Sequence, residues 1–227
     1  MFLFLKLCLA HAIADFVLQF EELYRLKLKS RLGHFFHAGI HAVLSLALAF
    51  PSLVSPWAFV YILAVSTVHY FQDTIKYHFQ ERHPGTSFWC FTIDQIVHFA
   101  IIATAFLTPQ SWQHPAGTQS SANPADLYLL AFILGTFGGS YFLHNLRKTF
   151  FPGSRPDHLI TNFEILHAML ERTLIGFIFI AAPPVYFAMT PLTGLTRMAS
   201  PKLRDRTDFL LSYLYAAALG LLFRMWL

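Results

Sequence analysis

Long apolar runs, separated by short polar stretches, set the pattern of this chain. A helix that crosses a bilayer needs roughly 20 apolar residues, and the runs come at about that length. Residues 1–20 supply the first, followed by the basic segment E-E-L-Y-R-L-K-L-K-S-R-L-G. A second runs from about His34 to Val54, a third from Trp57 to Phe79 and a fourth from Phe88 to Leu107. Pro-, Gly-, Ser- and Gln-rich residues 109–125 then read as a mobile loop and as the best internal boundary. A fifth run, Asp126 to His144, precedes an apolar block over residues 164–198 that Pro183 and Pro184 interrupt. Paired prolines break a helix, so this block predicts a hairpin of two short or tilted helices. The last run is Phe209 to Leu227. The expected fold is all-α: a polytopic transmembrane bundle of about six full spans plus the hairpin. It divides into a membrane core (1–108), the loop (109–125) and C-terminal membrane helices (126–227).

Composition agrees. Of 227 residues, 56% are hydrophobic and 12% charged, and the mean hydropathy is +0.50. A soluble domain carries roughly twice that share of charge. The net charge of +4 comes from Lys and Arg gathered at Arg25–Arg31, at Lys76 and Arg82, at Arg147–Arg155 and at Arg197–Arg206. All four fall on one side if residues 164–198 enter and return, and the positive-inside rule makes that side cytoplasmic. Lys6 and Arg224 run against the rule. No aromatic–basic interleaving points to nucleic acid. Cys8 and Cys90, in or beside apolar runs, read as small buried hydrophobes. The first residues resemble a signal peptide, with Ala10, Ala12 and Ala14 as small cleavage positions. Cleavage there would part His11 from Asp15, and a retained span is the better reading.

The polar residues inside the apolar runs carry the chemistry. Residues four apart share a helix face. The first run holds His11 and Asp15, the second His37 and His41, the third His69 and Asp73, the fourth Asp94 and His98. Each of the first four spans thus has one i,i+4 pair of candidate metal ligands. Asp15 and His37 lie about one turn from their basic loop, Asp73 and Asp94 about a turn and a half from theirs, so all four pairs share one leaflet. His and Asp occupy 19 positions, for which random placement gives about 1.6 such pairs. Ionisable groups in hydrocarbon cost several kcal/mol each unless paired or metal-bound. Eight ligands suffice for two ions, and four helices with facing His and carboxylate groups build dinuclear sites. Hydrogen-bonded Asp–His pairs that merely fix the bundle are the plainer alternative. Without a thiolate, the donor set suits zinc, iron, manganese or nickel.

Gln19, His34, Gln72 and Gln95 lie within a turn of the pairs, where they can orient ligating histidines. Lys76, one turn beyond Asp73, either stabilises an anionic substrate or snorkels to the membrane edge. His78, His83 and His114 read as loop or interface residues. Glu164 and His167 make a single E-x-x-H, and Glu171 and Arg172 pair with each other or with a neighbour. H-E-x-x-H, G-x-S-x-G, the P-loop and H-x-x-H-H clusters are absent from the sequence.

H-A-I-A-D-F-V-L-Q (His11–Gln19), H-A-G-I-H-A (His37–Ala42), H-Y-F-Q-D-T-I-K (His69–Lys76) and D-Q-I-V-H (Asp94–His98) resemble an uncharacterised bacterial integral-membrane family, domain of unknown function 3307. L-E-R-T-L-I (Leu170–Ile175) and R-T-D-F-L-L-S-Y-L (Arg206–Leu214) extend the likeness to nearly full length. The resemblance implies a multi-pass protein of the bacterial inner membrane and brings no activity.

The residues themselves predict a membrane metalloenzyme with a mono- or dinuclear centre at His11, Asp15, His37, His41, His69, Asp73, Asp94 and His98. Zinc is the favoured metal, with iron or manganese as alternatives. Asp73, Lys76 and Asp94 are the candidate catalytic residues, and a hydrolase of a membrane lipid or amphiphile is the first expectation. A di-iron desaturase- or hydroxylase-like enzyme, a metal-ion or proton transporter, and a purely structural membrane protein are the alternatives.

Overall fold

The computed structural model describes residues 1–113, 123–151, 162–199 and 206–226. Every regular element among them is helical. The chain packs as two compact units, Met1–Leu130 and Ala131–Leu227.

The first unit is built around its first helix. α1 (Phe2–Ala12) is apolar on every side, and such a helix is stable only when surrounded. Leu3, Leu5, Leu7, Leu9 and Ala10 are all buried. α1 continues into one π-helical turn, Ile13–Val17. α2 (Glu21–Lys29), α3 (Arg31–Leu48), α4 (Pro56–Arg82), α5 (Ser87–Ala103) and the single turn α6 (Gln110–Gln113) follow. α3 and α5 pack on α1, and α4 packs on both α3 and α5. A 3₁₀ turn at Phe50–Val54 leads into α4, whose first residue is Pro56. Proline suits that position because its fixed φ is helical and no N–H is lost there.

These helices are inverted in polarity. α4 turns Trp57, Val60, Leu63, Val68, Phe71 and Ile75 outward while burying Ser66, His69 and Asp73. α5 exposes Ile93, Ile96 and Val97 and buries Asp94 and His98. The apolar stripe faces away from the protein and the polar stripe faces its centre.

The basic stretch expected as a loop after the first run is instead helical, as α2, and turns 88° away from the preceding helix. Leu23 and Lys27, one turn apart, are its buried positions. Gly33 permits the turn from α2 into α3: a Cβ there would lie 2.3 Å from the Lys27 amide nitrogen.

α7 (Pro124–Ile133), which begins in the first unit, runs through a π-helical turn, Leu134–Gly138, into α8 (Gly139–Phe150) of the second. α9 (Asn162–Ala181) stops before Pro183 and Pro184. The expected hairpin forms, with a 3₁₀ helix over Pro184–Ala199 as its returning arm. The Phe187 ring lies 4.3 Å from Phe179 near the bend. Arg197 reaches Glu171 at 2.7 Å further along. α10 (Arg206–Arg224) packs on α9.

Among the described residues, two helical stretches, Ser87–Leu107 and Pro124–Phe150, are long and apolar enough to cross a membrane, or three if the bent Phe2–Val17 and Glu22–Lys29 pair counts as one span. Six full spans are not reached on this measure. The physical reason lies in the sequence itself: His34, His37 and His41 lower the hydropathy of α3, and His69, Gln72, Asp73 and Lys76 lower that of α4. The boundary between units falls inside α7 rather than in residues 109–125. Asp126, near the start of α7, accepts both oxygens' worth of contact from Lys6 on α1, at 2.9 and 2.8 Å. His114, Arg155, Lys202 and Arg204, and most of the expected loop, lie outside the described residues, as does the side chain of Glu164.

Candidate metal centre

The four expected pairs converge in the first unit, in two layers. The layer nearer α2 is ionic. Asp73 Oδ2 lies 2.9 Å from Lys27 Nζ and 2.9 Å from His34 Nδ1. Lys76 Nζ sits 2.8 Å from Asp94 Oδ2 and 3.7 Å from Asp73 Oδ1. Gln19 accepts from Lys27 at 2.8 Å, and Gln72 donates to the Asp94 carbonyl at 2.9 Å. Two ammonium groups thus neutralise two carboxylates. Lys27, in the basic stretch expected as a loop, joins this layer at only 3% exposure. Its signal was the i,i+4 spacing from Leu23.

One turn along the bundle lies a layer of imidazoles around a single carboxylate. Asp15 stands in the π-helical turn at the end of α1, a distortion often found at functional sites. Its Oδ1 meets His37 Nε2 at 3.0 Å and His41 Nε2 at 2.8 Å, with His69 Nε2 at 3.9 Å. Its Oδ2 takes a hydrogen bond from Gln95 at 3.2 Å and lies 3.7 Å from His11 Nε2. The rings of His41 and His69 are 3.7 Å apart, those of His69 and His98 4.3 Å, and those of His11 and His98 4.8 Å.

Among the described residues, two groupings bring ligand atoms within 4.8 Å of one another: His11, Asp15, His41 and His69, and Asp15, Asp94 and His98. Three imidazoles and one carboxylate make a four-ligand set of the kind that holds zinc, with bonds of about 2.0–2.2 Å. Six of the eight expected ligands therefore belong to a grouping. Asp73 does not, because Lys27 and His34 hold it in the ionic layer. His37 stands beside the first grouping, hydrogen-bonded to Asp15. Gln95 spans the layers, donating to Asp94 Oδ2 at 3.3 Å as well as to Asp15, with its carbonyl 3.3 Å from His11 Nε2.

On the far side of the imidazoles lies a cavity of about 20 Å³, lined by His11, His41, His69 and His98 together with Ser45, Ser66 and apolar Leu7, Val65, Ile101 and Ile102. That is room for one water-sized group. His69 Nε2 and both ring nitrogens of His98 are buried without a hydrogen-bond partner, and such groups are costly unless something satisfies them. His78 and His83 are exposed at the end of α4, and His83 stacks on Phe79 at 4.4 Å.

A family described as Protein of unknown function (DUF3307) matches residues 3–126, more than half of the chain and the stretch holding every residue of both layers. The chain belongs to this family. The match covers the part where the resemblance is strongest rather than nearly the full length. No curated protein and no solved structure matches the chain.

Proposed function

We propose that this member of the family is a polytopic membrane metalloenzyme, with one metal held by His11, Asp15, His41 and His69. The observation that carries this reading is a buried set of imidazoles facing a water-sized cavity, with nitrogens that nothing in the protein satisfies. The inverted polarity of α4 and α5 supports immersion in lipid, since a soluble surface rarely exposes so continuous an apolar face. In that setting α1, α3, α4, α5, α7–α8 and α10 cross the bacterial inner membrane and the α9 hairpin enters and returns. The basic ends then face the cytoplasm. The two basic residues that run against the rule are engaged: Lys6 with Asp126, and Arg224 with the carbonyls of Phe179 and Ala182 at the end of α9.

The chemistry is hydrolysis of a lipid or amphiphile. When held by His11, Asp15, His41 and His69, a divalent metal, zinc before iron or manganese, would supply a water of lowered pKa as nucleophile. Asp15 holds His37 by a hydrogen bond, and the Gln95 amide N–H holds Asp15. The volume beside His11, His41, His69 and His98 admits the nucleophile and excludes bulk water, while the acyl or phosphoryl group approaches past half-buried Val65 and Ile101. Asp73 and Lys76, committed to the ionic layer, keep the arrangement neutral and rigid in this reading and do not react.

Metal content of detergent-purified protein tests it, with His69→Ala beside wild type. Bound zinc lost in the variant, and metal-dependent cleavage of phospholipid or acyl ester in mixed micelles, is the expected result. Bound iron redirects the reading to oxidation. Wild-type protein without metal overturns it and leaves the stacked imidazoles as a proton path or as hydrogen-bonded bundle core.

A further inference from the structure

Two groupings share Asp15, so the donor atoms alone allow one ion or two. Charge separates the cases. With imidazoles neutral, the clustered groups carry two positive charges (buried Lys27 and half-buried Lys76) and three negative ones (Asp15, Asp73, Asp94), a net charge of −1. One divalent ion brings the set to +1, and a small monoanion then brings it to zero. Two divalent ions bring it to +3 in a medium where each uncompensated charge costs several kcal/mol. The second grouping is also weaker in itself. Asp94 is already committed through Oδ2 to Lys76 at 2.8 Å, and its backbone carbonyl to Gln72.

His98 then has a different task from its three neighbouring imidazoles. It lines the same cavity as His11, His41 and His69, is 3% exposed, and has no hydrogen-bond partner at either nitrogen. Its Nδ1 lies 3.5 Å from Asp94 Oδ1, on the side of the ionic layer. A slight turn of the ring lets Nδ1–H donate to Asp94, which fixes the tautomer and leaves Nε2 for the cavity. A carboxylate holding a histidine in this way is a common means of aiming an imidazole. The carboxylate in turn is held by Lys76, so the aim is set from outside the imidazole layer.

We infer that the centre is mononuclear and that His98, oriented by Asp94, is no metal ligand but the positioning residue that holds the ion's exchangeable ligand, a small monoanion or water, in the cavity. This rests on the metal reading above and specifies it further.

The test uses the whole protein in detergent, stripped of metal and reloaded with Co²⁺, whose visible spectrum reports on its ligands. Cobalt per chain is measured together with the affinity for cyanide, a monoanion small enough for the site. Wild type is expected to hold one cobalt. His98→Ala and Asp94→Asn are expected to keep it with a similar spectrum but to bind cyanide about tenfold more weakly, the loss of roughly one hydrogen bond to a charged group. Two cobalt ions in wild type would overturn the proposal in favour of a dinuclear centre. One ion in wild type but none in His98→Ala, with the variant still monodisperse and cooperatively melting, would make His98 a ligand and overturn it too. Unchanged cyanide affinity in both variants would remove His98 from the cavity chemistry. A wild type that takes up no cobalt at all defeats the metal reading itself, a separate outcome from these. The wild-type stoichiometry needs no variant, so misfolding of one cannot shield the proposal.

Discussion

The two units each bury a polar cluster, and the clusters differ in kind. In the second unit charges meet charges or carbonyls. Arg197 contacts Glu171 and, at 2.8 Å, Asp208, and Arg147 also pairs with Asp208. Arg172 donates to the carbonyls of Gly135 and Thr136 at 2.8 and 3.0 Å and to Ser140 Oγ at 2.6 Å. Those carbonyls belong to the π-helical turn, which Tyr215 also serves through its bond to Leu134. Glu171 Oε1 lacks a hydrogen bond, yet its carboxylate is paired through the other oxygen. The first unit has an ionic layer of the same closed type, and beside it an imidazole layer that is not closed: four rings share the Asp15 carboxylate, and His98 makes no hydrogen bond at either nitrogen. Closed networks hold helices together. A layer left open next to a cavity is built to receive something.

Breaking the closed networks should therefore cost stability and spare metal. Arg197→Met, which strands buried Glu171, is expected to destabilise the protein most, by about 3–5 kcal/mol, read as a lower melting temperature in detergent with metal content unchanged. Lys27→Met is expected to cost less, about 1–3 kcal/mol, because His34 and Lys76 still face Asp73. Bound metal should again remain, and its loss would mean that the ionic layer is part of the centre. Gly220→Ala probes packing alone. Its Cβ would meet Phe179 Cβ at 2.7 Å and the Gly176 carbonyl at 2.8 Å, so the α9–α10 contact must open, at about 1–3 kcal/mol. Gln19→Ala, which removes one hydrogen bond to Lys27, should cost only about 1 kcal/mol, visible as a small shift in the same melt.

The helical segments and their pairs were legible because both are local. An apolar run states its own length, and i,i+4 spacing states its own face, so His11 with Asp15 and Asp94 with His98 could be aligned before any packing was known. What stayed hidden depends on contacts distant in sequence. Only its i,i+4 spacing from Leu23 sets Lys27 apart from the solvated lysines around it, and its partners Asp73 and Gln19 are distant in that pattern. Asp73 reads as a ligand by spacing and is removed from the set by that same lysine. Arg172 stands next to Glu171 in sequence, yet each turns to a different partner, because the π-helical turn at Leu134–Gly138 frees carbonyls that no motif announces. Fewer spans than six pass on length and hydropathy for a related reason: the residues that make the imidazole layer also lower the hydropathy of the helices that carry it.

The most direct measurement is metal per chain in purified wild type beside Asp15→Asn and Arg197→Met. Among the described residues, Asp15 is the only carboxylate that touches the imidazole layer on both of its oxygens. About one equivalent in wild type and in Arg197→Met, with almost none in Asp15→Asn, is the result expected of an open layer that binds an ion beside closed ones that do not. Equal metal in all three, or none in any, would contradict it.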